Sequence, residues 1–135
     1  RLLRSDPEVN IVTAARTGIT SEELADPNVV KVLLDKNRNA LLFSRQNIPY
    51  IRDRSALTVH PARQHIGLYV FRNSYLQRFV GLPQTELERL EQLEQLRILE
   101  NSEIIRVVET DQYSLGIDTE ADLKQAERII AAHEN

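Results

Sequence analysis

The 135 residues contain no cysteine and no methionine. The first absence removes thiol nucleophiles, disulfides and cysteine-ligated zinc, and it fits a reducing, cytoplasmic setting. The second means that Arg1 is not a translation start. The opening RLLRSDPEVN reads as the tail of a helix that begins upstream, so the expectation is a piece of a longer protein. Glycine is scarce: it stands only at 18, 67, 81 and 116, and none of these forms a phosphate-cradling loop. No apolar run approaches the roughly 18 residues of a membrane span, and no signal peptide opens the chain. A basic excess is also missing, with 17 Lys and Arg against 20 Asp and Glu. That balance argues against a nucleic-acid partner, which a basic stripe would advertise.

What is present fits one globular domain: 41% hydrophobic and 27% charged residues on a chain long enough for a real core. Ile11 to Ala15 is β-prone, and Ser21 with Glu22 and Glu23 suggests one helical turn. Val29 to Leu34 and Ala40 to Phe43 read as strands joined by a hairpin loop over 35–39. Their apolar residues suggest an exposed surface for an interface. The stretch 50–64 has little periodicity and carries arginines, and loops of this length are usually functional. Ile66 to Phe71 is apolar at both alternating sets of positions, which predicts a central strand buried on two faces. Ser74 to Val80 reads as a helix ended by Gly81 and Pro83. Thr85 with Glu88 forms a capping box, and the helix it opens is expected to run to about Glu100. Ile104 to Val108 is a further strand. Thr119 with Asp122 opens a last helix, with Leu123, Ala126 and Ile130 on one face. Strands alternating with helices after residue 66 give an α/β class with a mixed sheet and flanking helices.

Several residues fit a purely structural reading poorly. On one continuous helix Glu94 shares a face with Leu87, Leu90 and Ile98, while Leu93, Leu96 and Leu99 lie opposite. Glu94 and Gln95 then either point into a cleft between two layers, or Glu94 pairs with Arg97 or stays solvated. Arg45 ends a strand in FSRQNIP, within a local basic patch with Arg52, Arg54 and Arg63 that suits a small anion. A strand-end arginine either grips an acidic substrate through a two-pronged bond, caps a turn, or pairs with Asp53. His65 precedes the strand containing Tyr69 and is either a hydrogen-bonded scaffold residue or part of a site. Gly67 suggests a close approach of backbone or ligand. Asp118 in GIDT either benefits from a helix N-terminus or supplies one carboxylate for magnesium.

Four segments, DPNVVKVLLDKNRNALLFSRQNIP, HIGLYVFR, LERLEQLEQLRILENSEIIRVV and GIDTEADL, occur in this order with near-family spacing. Together they resemble the 3-deoxy-manno-octulosonate (Kdo) cytidylyltransferases, from about residue 26 to residue 130. The resemblance implies a nucleotide-diphospho-sugar transferase fold, a cytoplasmic homodimer, and transfer of CMP from CTP to Kdo in lipopolysaccharide-type sugar activation. It implies that Arg45 contacts the sugar carboxylate and that His65 and Tyr69 line the sugar pocket. Glu94 and Gln95 would engage the sugar and its reactive end, and Asp118 would ligate Mg2+. The family's amino-terminal triphosphate loop, cytosine-recognition segment and second magnesium aspartate have no counterpart in 1–135. The chain is therefore expected to be the C-terminal sugar-binding and dimerisation portion, inactive alone. An acylneuraminate-type cytidylyltransferase and a noncatalytic dimerisation fragment are the alternatives.

Overall fold

A computed structural model describes Leu3 and residues 6–111. Its elements are β1 (Ile11–Arg16), α1 (Ser21–Ala25), β2 (Lys31–Leu34), β3 (Ala40–Ser44), a 3-10 turn at Arg54–Ala56, β4 (Arg63–Phe71), α2 (Asn73–Val80), α3 (Glu86–Glu91), α4 (Leu96–Glu100) and β5 (Ile105–Thr110). The class is the expected one: helices flank a five-stranded mixed sheet in the order β3-β2-β4-β1-β5. Among the described residues only the β1–β5 pair is parallel, and the β2–β3 hairpin supplies β4 with an antiparallel partner in β2. The Asp122-bearing last helix and the other readings beyond residue 111 lie outside the described residues.

Local chemistry explains most boundaries. Thr20 caps α1 while Glu23 accepts from the Thr20 N–H at 2.8 Å, a reciprocal box at an expected helix start. Asp35 closes the hairpin by accepting from Asn37 and Asn39 N–H groups, both at 2.8 Å. The hairpin tip also reaches the outer edge of β5, where Val107 N–H donates to Arg38 O at 2.8 Å. Val32 and Phe43 are thereby drawn completely out of water, into one core with Ile11, Ile98, Ile105 and Val107. The hairpin is therefore not the exposed apolar surface its composition suggests. Of its large apolar residues Leu41 stands out into water.

Two further expectations fail for physical reasons. β4 is central in the sheet but not buried on both faces, since Leu68 is 65% and Val70 54% exposed. The strand bulges where the β1 register jumps between Thr13 and Ala14, from Tyr69 to Ile66. Gly67 sits in that bulge with open space where a Cβ would stand, so no backbone crowds it.

The helix expected over 85–100 is broken in two. Gln92 takes left-handed dihedrals, φ 54° and ψ 48°. On a straight helix Glu88 and Arg97 would point about 180° apart. In the fold they form a buried ion pair, with side-chain exposures of 6% and 12%. Leu93, Leu96, Ile98 and Glu88 would likewise scatter around a straight cylinder, yet all are buried. Breaking the helix brings them inward together, and leaves Leu87 and Leu90 exposed instead of in an apolar stripe.

Candidate functional site

The break between α3 and α4 faces the C-terminal part of β4 across a cavity of about 250 Å3. Tyr69 and Phe71 from β4, Phe79 from α2, Glu94 and Gln95 from the break, and Ile98 from α4 line it. One wall is aromatic and the opposite wall carries a carboxylate and an amide. Glu94 is exposed, not embedded in an apolar face, and Arg97 is engaged by Glu88. Gln95 is buried.

Tyr69 is the most informative member. Its Oη is buried with no hydrogen-bond partner. Thr13 Oγ1, whose effect on the phenol is to ease its ionisation, is engaged with His65, Ile66 O and Leu68 O instead. Burial raises the Tyr69 pKa well above its ordinary value, and the Glu94 charge pushes the same way. The hydroxyl is thus a neutral donor held ready for an incoming acceptor.

His65 stands behind this wall. Its ring lies 5.4 Å from that of Tyr69 and edge-on to Phe43 at 4.9 Å. Its Nε2 is 2.9 Å from Thr13 Oγ1. Because the Thr13 proton goes to the Leu68 carbonyl at 2.9 Å, the imidazole donates from Nε2. Burial holds its pKa down to about 4, so it is neutral in ordinary buffers. It supports Tyr69 and is not among the residues lining the cavity.

Arg45 lies next to the break, with three of its five guanidinium N–H donors on backbone carbonyls. Nε donates to Glu91 O at 2.8 Å, Nη1 to Pro27 O at 3.0 Å and Nη2 to Gln92 O at 3.3 Å. It does not pair with Asp53, whose carboxylate accepts from Ser55 N–H and Oγ. Arg63 is similarly occupied by Glu109 and by the His60 and Pro61 carbonyls. Of the basic patch, only the Arg52 and Arg54 side chains have no hydrogen bond or ion pair among the described residues. Arg54 lines a second cavity of about 570 Å3 with Leu24, Asn47, Tyr50, Ile51 and His60.

The structure thus brings Tyr69, Glu94 and Gln95 together, with His65 behind them and Arg45 beside them. Asp118 lies outside the described residues. Sequence reasoning missed Lys31, fully buried, whose Nζ donates to the carbonyls of Asp26, Val29 and Arg45 at 2.7, 2.7 and 2.6 Å. Lys31 stands inside the apolar run VVKVLL, where a lysine reads most simply as a solvent-facing strand residue. Phe71 and Phe79 were likewise visible only as core candidates. Among the described residues no three His, Asp or Glu side chains gather to hold a metal ion, and no helix is long and apolar enough to cross a membrane.

Residues 2–105 match the cytidylyltransferase family. The chain is 49% identical over 131 residues to a 3-deoxy-manno-octulosonate cytidylyltransferase of Syntrophotalea carbinolica, covering 93% of this chain and 52% of that protein. It is 47% identical to the enzyme of the same name from Solibacter usitatus, covering 94% and 50%. A solved CMP:2-keto-3-deoxy-manno-octonic acid synthetase, complexed with CTP, superposes with a TM-score of 0.86 at 34% identity, covering 97% of this chain and 53% of that one. The chain spans about half the length of the curated relatives it matches.

Proposed function

The chain belongs to the cytidylyltransferase family, and from that premise we propose that it is the sugar-holding portion of a Kdo cytidylyltransferase. The observation that carries this reading is the buried, unpartnered Tyr69 hydroxyl, beside Glu94 and Gln95, on an aromatic-backed cavity of about 250 Å3. The cavity lies just below the ~300–1,000 Å3 of drug-sized sites and suits one monosaccharide. A polyhydroxylated ring is the ligand class that such a wall satisfies. Tyr69 donates, Glu94 accepts, Gln95 does both, and Phe71 and Phe79 pack against the apolar face of the ring.

In the proposed reaction the anomeric hydroxyl of Kdo attacks the α-phosphorus of CTP. The new O–P bond forms as the bond from the α-phosphorus to the oxygen bridging to the β-phosphate breaks; pyrophosphate leaves with that oxygen, and the hydroxyl proton passes to solvent. The chain's own contribution is positioning, which in phosphoryl transfer is a large share of catalysis. Glu94, as an acceptor, orients sugar hydroxyls, while neutral His65 stiffens the wall through Thr13. Mg2+ in this reading rests on Asp118 together with ligands from outside this chain, and when bound would neutralise phosphate charge. CTP, the cytoplasmic setting and a homodimer belong to the same proposal, with 1–135 as its C-terminal portion. The chain by itself is then expected to bind sugar without turnover.

Pyrophosphate release by the complete protein, with CTP and either Kdo or a sialic acid, tests the reading. Turnover with Kdo alone is expected, and Tyr69→Phe should raise the Kdo KM up to about tenfold, as for one hydrogen bond. Preference for the sialic acid, or a KM indifferent to Tyr69→Phe, would refute it. Measured mass of the complete protein decides the dimer.

A further inference from the structure

The cavity wall formed by Glu94 and Gln95 owes its position to a left-handed non-glycine residue, and that conformation is unfavourable on its own. A glutamine at φ 54° lies in the left-handed region that side chains with a Cβ disfavour relative to the right-handed helix it interrupts. The sequence ERLEQLEQLR would, by propensity, run straight through. Something outside the helix must hold the break open.

Arg45 is placed to do so. Ending α3 early frees the carbonyls of Glu91 and Gln92, and these are the two that Arg45 Nε and Nη2 bind. The attachment is reciprocal. The Glu91 carboxylate accepts from Ser44 Oγ at 2.6 Å and from Arg45 N–H at 2.8 Å. On the other side, Lys31 Nζ fixes the Arg45 carbonyl at 2.6 Å and is itself completely buried. The end of β3 is thus fastened to β2 through Lys31 and to the helix break through Arg45 and Glu91. The three bonds use three of the five guanidinium N–H donors, and two of the three acceptors are the carbonyls that the break frees.

We propose that Arg45 is a positioning residue for the sugar pocket, acting through the left-handed turn at Gln92 to set where Glu94 and Gln95 stand. The pocket's ligand rests on the functional reading above; the clamp does not. Removing the guanidinium should let the turn loosen and open more often, and carry the two polar side chains off the cavity. Glycine at position 92 adopts the left-handed conformation without steric penalty, and so should hold the break without the clamp.

The test uses the complete protein, unsubstituted and as Arg45→Ala, Arg45→Lys, Gln92→Gly and Arg45→Ala with Gln92→Gly. Amide hydrogen exchange over 91–97 reads the break, and the Kdo KM with CTP saturating reads the pocket. Arg45→Ala should speed exchange in that segment and raise KM about tenfold, the scale of one or two lost sugar hydrogen bonds. Adding Gln92→Gly should recover most of both losses. Unchanged exchange in Arg45→Ala overturns the proposal, as does a raised KM that Gln92→Gly cannot rescue, which is the signature of a direct grip. Should Arg45→Ala not fold, Arg45→Lys, which keeps a charge but loses the planar fork, supplies the same comparison with and without Gln92→Gly. Absence of Kdo turnover in the unsubstituted protein sinks the functional reading alone, because exchange still decides the clamp.

Discussion

The segment 91–95 and the segment 50–62 are both irregular, and both involve arginines, yet they are built in opposite ways. Around 91–95 the loose carbonyls have Arg45 as donor, Glu91 returns its carboxylate to β3, and Lys31 holds the strand end from below. Along 50–62 Tyr50 is 89% and Val59 72% exposed, and the Arg52 and Arg54 guanidinium groups have no partner among the described residues. The lesson concerns charge: an arginine's capacity for a ligand depends on whether its donors are already committed, not on where it falls in a strand. By that criterion Arg52 and Arg54 are the arginines of the basic patch left more open to an acidic substrate, while Arg45 and Arg63 build the frame.

Four measurements would sharpen or break this contrast. The largest effect is expected at the frame: Glu88→Ala leaves Arg97 buried without its partner. It should cost about 3–5 kcal/mol in urea unfolding; a loss below about 1 kcal/mol would mean that the pair is dispensable and the break self-supporting. Next comes His65. Its folded pKa of about 4 lies below the ordinary 6.5, so between those values the unfolded chain binds more protons. Stability should therefore fall as pH drops from about 6.5 to about 4, by on the order of 3 kcal/mol. His65→Gln should abolish that part of the pH dependence, and an identical pH profile in the variant would contradict the buried neutral imidazole. Third, Arg52→Ala with Arg54→Ala should change unfolding free energy by less than about 0.5 kcal/mol. It should still raise the Kdo KM about tenfold or more, the equivalent of at least about 1.4 kcal/mol. A large stability loss with unchanged KM would reverse the contrast between frame and free loop. The smallest effect belongs to Gln92→Gly alone: relief of the left-handed strain is offset by glycine's greater chain entropy, leaving a change within about 1 kcal/mol. A loss much greater than that would show that the glutamine side chain, and not the backbone turn, matters at the break.

The elements most legible in the sequence were those governed by neighbours along the chain. The helical turn at Ser21, the Thr85 cap, the hairpin loop over 35–39 and the stop at Gly81 all stand where their residues place them. Tyr69, Glu94 and Gln95 do share one cavity, although the reasoning that singled out Glu94 assumed a straight helix that does not exist. Arg45 drew notice for its strand-end position, and that position holds; its partners are carbonyls distant in sequence, which no local pattern encodes. Lys31 drew no notice, because a lysine is almost never fully buried unless every donor finds an acceptor, and its acceptors come together only on folding.

Composition, capping residues and apolar periodicity were enough to determine an α/β chain with a mixed sheet, its helix starts and its hairpin, since these depend on contacts a few residues apart. Tertiary structure alone decided that the helix breaks at Gln92, that Glu88 rather than Glu94 takes Arg97, and which arginines keep free donors. Those outcomes arise from competition among buried groups, where each polar atom removed from water must find a partner from another element.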